Sequence, residues 1–326
     1  KYAERNAANY RANNMALVAG NPKTGEIIAM VGSKDWFGDP FPEGCSAGQD
    51  CFFDPKVNVA TYYQGRQPGS SFKPFVYALA FQKGANGETI VVDEETNFGV
   101  WGGEEYIPQN YTGTFHGPVS LREALAQSLN IPAVKVLVDL AGIEESVLFA
   151  EDLGITTLRE PSYYGPALVL GGGEVRLIDM VSAYGVFASD GKKVPPVSIL
   201  RVEDVRGNLL TQNRNTAIRI LSPDVTQEIT SILSDNEART PLFGPRSALY
   251  IPNYSVAAKT GTTQEYKDAW TLGYTPDIVT GVWVGNNDNT PTSKKPGVTL
   301  AAPIWNQFMT QALPYLDAPS LSTLTP

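Results

Sequence analysis

Two hairpins of apolar strands, one near each end of the chain, limit the possible fold more than any other feature. Residues 15–21 and 26–32 flank a Pro-Lys-Thr-Gly turn, and residues 268–274 and 278–285 flank a Thr-Pro-Asp turn. Residues 255–262 form a further apolar segment of strand length. Because these strands lie so far apart in the sequence, they predict one antiparallel sheet that is assembled from distant parts of the chain.

The chain between the hairpins has helical periodicity instead. Ser120 and Glu123 have the spacing of a capping box at a helix start. A strand pair is also predicted over residues 197–205 and 208–210. Helices are predicted over residues 75–81, 121–127, 131–141, 144–153, 175–188, 223–233 and 300–313. This pattern predicts an α/β (α+β) fold in which helices flank the central antiparallel sheet, with a helical lobe over roughly residues 85–190 inserted between sheet segments.

Length and composition agree with one large folded unit. The 326 residues are 42% hydrophobic, which is enough for a sizeable core. We expect residues 1–14 to be the end of a linker, residues 15–313 to be the domain and residues 314–326 to be a C-terminal tail. Residues 1–14 lack a signal-peptide layout, and no apolar run reaches the roughly 20 residues that cross a bilayer. Any targeting segment is therefore expected outside this sequence.

Charge and cysteine content narrow the possible functions. The formal charge of −9 is spread along the chain without long runs of one sign, which argues against a nucleic-acid partner. Cys45 and Cys51 lie in one loop, and their spacing is unlike that of a metal site. A disulfide between them would imply an oxidising compartment, but two cysteines alone leave the pairing open.

A G-x-S-x-G sequence at residues 44–48 formally matches the nucleophile elbow of α/β-hydrolases. Asp93 and His116 follow Ser46 in the order that such a triad would use. The elbow needs a strand before the serine and a helix after it, whereas proline-containing and polar segments flank this serine. His116, the only histidine, is predicted to be a loop or surface residue. A Ser-His-Asp mechanism is therefore not predicted.

The segment QPGSSFKPF, residues 67–75, contains an S-x-x-K motif. Only Ser70, and not Ser71, has a lysine three residues later, which places Ser70 and Lys73 on the same face of a helical turn. Pro74 fits best in a first helical turn, so Ser70 is expected at a helix N-terminus, where the dipole favours negative charge on Oγ. Burial beside the following apolar helix would lower the pKa of Lys73 and make it a base. The alternative is a capping serine beside an exposed lysine.

An S-x-N motif, Ser128-Leu129-Asn130, separates two predicted helices. Such a break would turn the side chains of Ser128 and Asn130 toward a cleft, although alone they would be read as capping residues. A rival S-x-N at residues 234–236 lies at the end of an amphipathic helix, where Ser and Asn are common terminators. A rival S-x-x-K at residues 189–192 follows a helix end and has the wrong turn geometry.

A K-T-G motif, Lys259-Thr260-Gly261 with Thr262 and Thr263 after it, closes the predicted strand over residues 255–262. Gly261 would let a substrate backbone approach closely, while Lys259 and the threonine hydroxyls could bind a carboxylate. The same tripeptide at residues 23–25 is explained by its hairpin turn. Neither copy has the spacing of a phosphate-binding loop.

The three motifs are far more specific together than singly. The order S-x-x-K, S-x-N, K-T-G is typical of penicillin-binding proteins and class A β-lactamases. The chain resembles the transpeptidase domain of a class A penicillin-binding protein, a bifunctional peptidoglycan synthase. The resemblance extends over the segments NPKTGEIIAMVGS, GRQPGSSFKPFVYALAFQKG, GPVSLREALAQSLNIPAVKV, GGGEVRLIDMVSAYGVFASDG and AAKTGTTQEYKDAWTLGYTPDIVTGVWVGNND. It implies the fold shared by penicillin-binding transpeptidases and serine β-lactamases.

The resemblance implies a penicillin-sensitive D,D-transpeptidase that cross-links peptidoglycan stem peptides through an acyl-enzyme. Ser70 would be the nucleophile, Lys73 the base, and Ser128 the proton shuttle to the leaving D-alanine. Asn130 would orient Lys73 and the substrate amide, and Lys259 would complete the catalytic set. The remaining implied groups are the substrate-binding Thr260, Gly261, Thr262 and Thr263, and the backbone N–H groups of Ser70 and Thr262 as the oxyanion hole.

The same resemblance implies the setting. Substrates would be stem peptides that end in D-Ala-D-Ala, β-lactams would be covalent inhibitors, and no cofactor or metal is implied. The full-length protein would also carry a peptidoglycan glycosyltransferase. The domain would act on the extracytoplasmic face of the bacterial cytoplasmic membrane, held there by an anchor outside this sequence. Partners in a cell-wall synthesis complex are left open.

Three other functions use the same fold or the same acyl-enzyme. A serine β-lactamase adds a group that activates hydrolytic water; the class A enzymes use Glu-x-x-x-Asn, whereas Glu160 is followed four residues later by Tyr164. A D,D-carboxypeptidase passes the acyl group to water. A non-catalytic β-lactam-binding sensor domain stops at the acylated state.

Overall fold

The computed structural model describes residues 1–214 and 216–316. Its helices are α1 (Tyr2–Tyr10), α2 (Lys73–Gln82), α3 (Leu121–Ala126), α4 (Asn130–Lys135), α5 (Ile143–Leu153), α6 (Leu177–Ala188), α7 (Pro223–Ser234), α8 (Asn236–Phe243), α9 (Gly297–Leu300) and α10 (Ala302–Leu316). Its strands are β1 (Asn14–Gly20), β2 (Ile27–Val31), β3 (Ile90–Asp93), β4 (Val100–Trp101), β5 (Glu104–Glu105), β6 (Gly117–Ser120), β7 (Lys192–Lys193), β8 (Arg201–Glu203), β9 (Leu209–Gln212), β10 (Ile218–Arg219), β11 (Ala257–Thr262), β12 (Asp268–Tyr274) and β13 (Val279–Gly285).

The central sheet joins strands from both ends of the chain, as predicted. Its strand order is β11-β12-β13-β1-β2, and every neighbouring pair is antiparallel. Trp283 in β13 pairs with Ala16 of β1 on one side and with Trp270 of β12 on the other. Helices α2 to α8 all lie in the chain between β2 and β11. The predicted α/β fold, with helices flanking a sheet built from distant segments, is confirmed.

Side chains alternate between the two faces of this sheet, because successive residues of a strand point to opposite sides. In β1, Met15, Leu17 and Ala19 belong to the core that contains the buried side chains of α10. Ala16 and Val18 belong to the opposite core, which contains the apolar side chains of α2 and α6. Strands β1, β11, β12 and β13 are therefore buried on both faces, whereas the edge strand β2 is partly exposed.

Most helices lie close to their predicted bounds. The capping box at the start of α3 is present: Ser120 Oγ accepts from the Glu123 amide at 3.2 Å, and the Glu123 carboxylate accepts from the Ser120 amide at 3.0 Å. These two bonds satisfy amide groups that a helix start would otherwise leave without partners.

Three of the differences from the expectation concern the helices near the ends of the chain and next to β11. The predicted linker residues contain α1, whose buried Asn6 donates from Nδ2 to the Leu300 carbonyl at 3.0 Å, so this helix packs on the domain. Helix α8 was not predicted, because its sequence lacks a clear apolar stripe. Helix α10 continues to Leu316 past the predicted end at 313, and residues 317–326 of the predicted tail lie outside the described residues. The bounds of the domain and of the lobe over 85–190 stay predictions.

The long loop between β2 and α2 carries both cysteines. Cys45 and Cys51 form a disulfide with an S–S distance of 2.05 Å, which settles the pairing that the sequence left open. Across residues 1–214 and 216–316, no helix has the length and apolar character needed to cross a membrane.

Candidate active site

Ser70 lies in a 3-10 turn, Gly69–Phe72, that runs directly into α2 at Lys73. Pro74 occupies the first turn of α2, where a backbone N–H would have no helical partner. Ser71 is fully buried, and its hydroxyl donates to the Pro68 carbonyl at 2.7 Å. Ser70 is half-buried and lines a cleft. Of the two adjacent serines, Ser70 is therefore the one whose side chain faces open space.

Two glycines let the turn before Ser70 pack directly against the K-T-G strand. A Cβ atom on Gly261 would lie 2.1 Å from the Pro68 carbonyl oxygen. Gly69 has a φ of +56°, and a Cβ there would lie 2.7 Å from the backbone nitrogen of Thr262. Only glycine avoids both contacts, so these positions bring Ser70 and the end of β11 together.

Lys73 is fully buried at the start of α2. Its Nζ donates to three close oxygens, namely the carbonyls of Ser128 at 2.7 Å and Leu129 at 3.0 Å and the Oδ1 atom of Asn130 at 2.8 Å. Burial lowers the pKa of Lys73 well below its ordinary value, and the charge of Lys259 lowers this pKa further. A lowered pKa is what the predicted role of Lys73 as a base requires.

Ser128 forms the turn between α3 and α4 and has a φ of +58°, which a non-glycine residue seldom adopts. Its hydroxyl oxygen accepts from Lys259 Nζ at 2.7 Å and from Lys73 Nζ at 3.4 Å. Asn130 follows at the first position of α4. The predicted break between two helices therefore places Ser128 between both lysines and Asn130 beside Lys73.

Lys259 is buried in the edge strand β11, and its Nζ also donates to the Thr260 carbonyl at 2.9 Å. Burial lowers the pKa of Lys259 to about 7, and the charge of Arg239 contributes to the same shift. Arg239 itself is buried in α8, where its guanidinium donates to the carbonyls of Leu233 and Asp235. Sequence reasoning missed Arg239, because an arginine in a polar segment carries no signal of burial.

The threonines after Lys259 keep hydroxyl protons free for a ligand. Thr262 Oγ1 accepts from the Gly297 amide at 2.9 Å, and Thr263 Oγ1 accepts from the amides of Lys267 and Asp268 at 3.0 Å each. A hydroxyl that accepts from the backbone still has one proton to donate. Thr260, Thr262 and Thr263 all line the cleft.

The cleft has a volume of about 200 Å³. Its lining includes the predicted residues Ser70, Ser128, Asn130, Thr260, Thr262 and Thr263. Its other walls, including Tyr111, Leu170, Phe243 and Tyr266, were not predicted, because they come from loops and from α8. Within the described chain, neither a carboxylate nor a histidine lines this cleft, and no cluster of three or more His, Cys, Asp or Glu side chains is placed to hold a metal ion.

The rival motifs lie apart from this group. Ser46 lies in a turn of the disulfide loop rather than between a strand and a helix, and its side chain makes no hydrogen bond to His116 among the described residues. His116 Nδ1 contacts Asp93 Oδ2 at 2.8 Å. Ser234 ends α7 and Asp235 caps α8, as expected for helix terminators. The triad order in the sequence therefore corresponds to no assembled triad.

Comparison with known proteins adds independent support. A family profile described as the penicillin binding protein transpeptidase domain matches residues 15–310. Penicillin-binding protein 2D of Bacillus subtilis (strain 168) is 34% identical over 300 residues, which cover 90% of this chain and 40% of that protein. The chain thus spans about two fifths of the length of this curated relative.

Solved structures give the same result. The crystal structure of penicillin-binding protein 1A from Haemophilus influenzae superposes with a TM-score of 0.79 at 28% identity, covering 94% of this chain and 48% of that one. The PonA1 protein of Mycobacterium tuberculosis in complex with penicillin V superposes with a TM-score of 0.75 at 27% identity, covering 96% and 82%. Fold, motif geometry and family match agree, and the chain belongs to the transpeptidase domain family of the penicillin-binding proteins.

Proposed function

We propose that this domain is a penicillin-sensitive D,D-transpeptidase that cross-links peptidoglycan stem peptides through an acyl-enzyme on Ser70. The observation that carries the proposal is the hydrogen-bonded series from Lys73 through Ser128 to Lys259 beside a cleft-facing Ser70. A serine nucleophile needs a neighbouring base, and the lowered pKa of the buried Lys73 supplies one where no histidine lines the cleft.

In the acylation step, Ser70 Oγ attacks the carbonyl carbon between the two D-alanines of the donor stem peptide. The Oγ–C bond forms while neutral Lys73 takes the hydroxyl proton. In the ligand-free arrangement Lys73 Nζ donates to three close oxygens and, at 3.4 Å, to Ser128 Oγ, which uses the three hydrogens of the ammonium form. The neutral amine has two hydrogens and one lone pair, so Lys73 has to lose one proton to solvent and release a partner before its lone pair can turn toward Ser70. The backbone N–H groups of Ser70 and Thr262 would stabilise the oxyanion, a contribution of about 3–4 kcal/mol per donor in studied enzymes.

Collapse of the tetrahedral intermediate breaks the C–N bond and releases the terminal D-alanine. Ser128 gives its hydroxyl proton to the departing amine and regains a proton from Lys73. Because the Ser128 oxygen accepts from Lys259, its own proton is left free to point into the cleft. The carboxylate of the terminal D-alanine would accept hydrogen bonds from the hydroxyls of Thr260, Thr262 and Thr263, close to Lys259.

In the second half, an amine from a neighbouring stem peptide attacks the acyl carbon. A new amide bond forms, the bond to Ser70 Oγ breaks, and the proton lost by the amine returns to Ser70. Water would compete poorly, because no carboxylate lines the described cleft to activate it. Glu160, whose position relative to Tyr164 departs from the β-lactamase pattern, is absent from that lining. This favours a transpeptidase over a β-lactamase.

A β-lactam would acylate the same serine. The related PonA1 protein has been solved in complex with penicillin V, and that similarity supports β-lactam binding by this chain. The ring-opened drug would stay on Ser70 because hydrolysis lacks an activating group.

The wider setting rests on the relatives. We infer that the full-length protein is a bifunctional synthase with a glycosyltransferase region, as the resemblance to the class A penicillin-binding proteins implies; the chain covers 40% of its Bacillus relative. The domain would act on the extracytoplasmic face of the bacterial cytoplasmic membrane, held by an anchor outside residues 1–326. Its substrates would be stem peptides that end in D-Ala-D-Ala.

The proposal is tested by incubating the protein with a D-Ala-D-Ala donor peptide and an excess of an amine acceptor peptide. We expect a cross-linked dimer and free D-alanine in equal amounts, with little hydrolysed donor. Hydrolysed donor alone would identify a carboxypeptidase. Rapid turnover of a penicillin would identify a β-lactamase, and penicillin acylation without any peptide product would identify a sensor domain.

A further inference from the structure

A buried carboxylate, Asp93, lies behind the S-x-N segment at the end of β3. Its exposed fraction is 0%. Both of its oxygens accept from Nδ2 of Asn110, at 2.9 Å and 2.8 Å. Oδ2 also accepts from the backbone amide of His116 at 3.0 Å and contacts the His116 ring at 2.8 Å. A buried carboxylate is costly unless it is hydrogen-bonded in this way, so its position needs an explanation.

Asn110 connects this carboxylate to the active site. Its Oδ1 atom accepts from the backbone amide of Asn130 at 2.8 Å. The neighbouring Gln109 carbonyl accepts from the side-chain Nδ2 of Asn130 at 2.7 Å. Residues 109–110 therefore hold both the main chain and the side-chain amide of Asn130, and this leaves Asn130 Oδ1 directed at Lys73 Nζ, 2.8 Å away.

The carboxylate fixes which way the Asn110 amide faces. An asparagine amide has two donor hydrogens on nitrogen and one acceptor oxygen. Nδ2 of Asn110 donates to Asp93 and to the Thr114 carbonyl at 2.9 Å, so both hydrogens are used. A flipped Asn110 would set its oxygen against the carboxylate and its nitrogen against the Asn130 amide, and both contacts would be repulsive.

Helix α4 has a second anchor on the same strand that does not reach the active site. At its C-terminal end, Lys135 Nζ donates to the Val92 carbonyl at 2.8 Å, one residue before Asp93. Strand β3 therefore holds α4 at both ends, but only the contact through Asn110 leads to Asn130. Substitutions at the two anchors can therefore distinguish an effect on the orientation of the active site from a general loss of support for the lobe.

We propose that Asp93 and Asn110 are positioning residues for acylation, which orient Asn130 and through it Lys73. The proposal rests on the proposed function, in which Lys73 takes the proton of Ser70. Neither residue touches the reacting atoms: Asp93 sets the orientation of Asn110, and Asn110 sets the position of the Asn130 backbone.

The test compares Asp93→Asn and Asn110→Ala with the structural control Lys135→Met and the exposed control Asn97→Ala. The acylation rate constant with a fluorescent penicillin and the melting temperature are measured for each. Because a misplacement near 1 Å can lower a rate about 100-fold, we expect losses of about 10- to 100-fold for Asp93→Asn and Asn110→Ala. Lys135→Met should lower the melting temperature but change acylation by less than about twofold, as should Asn97→Ala.

A double-mutant cycle with Asn130→Ala gives a readout that a purely structural role would not move. If Asn110 acts through Asn130, Asn110→Ala causes no further loss of acylation in the Asn130→Ala background. Additive losses would overturn the proposal, and so would equal losses in Lys135→Met at a matched melting temperature. Failure of the proposed function would look different, because the unmodified protein itself would then give no acylation or no cross-linked peptide.

Discussion

Ser128 Oγ accepts a hydrogen bond of 2.7 Å from Lys259 Nζ, and this contact joins the S-x-N turn to the K-T-G strand. The same residue has a φ of +58°, which costs an L-residue about 1–2 kcal/mol. A strained turn therefore holds the Ser128 hydroxyl between two lysines. Substitutions of Ser128 can separate the loss of the hydroxyl from the relief of the backbone strain.

Ser128→Ala and Ser128→Gly should both lower acylation about 100-fold or more, because both remove the proposed proton donor for the leaving group. They should differ in stability, since glycine adopts a positive φ without steric cost. We expect Ser128→Gly to be about 1 kcal/mol more stable than Ser128→Ala in urea unfolding. Equal stability of the two variants would show that the turn is not strained, and retained acylation would exclude Ser128 from proton transfer.

Lys259→Met should abolish productive acylation. It should leave the free energy of unfolding unchanged or raise it by up to about 3 kcal/mol, because a buried cation is replaced by an apolar side chain of similar size. The pKa of Lys259 is about 7 in the folded protein and 10.5 ordinarily. Between these values the unfolded chain holds a proton that the folded chain lacks, so the stability of the unmodified protein rises with pH in this window.

The stability advantage of Lys259→Met should consequently be largest at and below about pH 7 and shrink as the pH rises toward 10.5. Denaturant unfolding of both proteins across this range measures it. An advantage that does not change with pH would contradict a lowered pKa for Lys259.

Acylation of Ser70 should slow as the pH falls through the pKa of Lys73, because in the proposed mechanism the neutral amine has to accept the serine proton. This pKa lies well below the ordinary value of 10.5, so the neutral form is available at lower pH than for an exposed lysine. Lys73→Arg keeps the positive charge, but arginine cannot lose its proton and so cannot act as a base. This variant should lower acylation about 100-fold or more. Acylation rates measured over a pH series check this; a rate in Lys73→Arg that matches the unmodified protein would exclude Lys73 as the base.

Gly261→Ala should disrupt the site, because the added Cβ would lie 2.1 Å from the Pro68 carbonyl oxygen and push the turn before Ser70 away from β11. We expect a loss of about 1–3 kcal/mol in stability together with slower acylation. Gly185→Ala in α6 is the matched control, since the nearest atom to its Cβ would be Pro22 Cβ at 3.8 Å. If both variants acylate normally, the close packing of Pro68 on Gly261 does not position Ser70.

Periodic patterns explain how much of the fold was predictable. The Ser120 and Glu123 capping box and the apolar helix after Lys73 are local signals, and they appear in the structure as α3 and α2. The motif residues were predictable for a different reason: Ser70, Lys73, Ser128 and Lys259 each fall in a recognisable spacing. Their mutual distances still had to come from the structure.

The unpredicted parts depend on single polar contacts between distant residues. Arg239 is buried beside Lys259 in a helix without an apolar stripe, and Asp93 lies buried behind Asn130 at the end of a short strand. Burial of such side chains follows from tertiary packing, which leaves no periodic trace in the sequence.

The central claim is that Ser70, and not its neighbour, is the nucleophile. The most direct measurement is mass spectrometry of the protein after incubation with a penicillin, followed by peptide mapping of the adduct in unmodified protein, Ser70→Ala and Ser71→Ala. Ser71 is the matched control because its hydroxyl donates to the Pro68 carbonyl instead of facing the cleft. We predict one persistent adduct on Ser70 in the unmodified protein and in Ser71→Ala, and none in Ser70→Ala. An adduct that survives in Ser70→Ala, or that maps to another residue in the unmodified protein, would contradict the account.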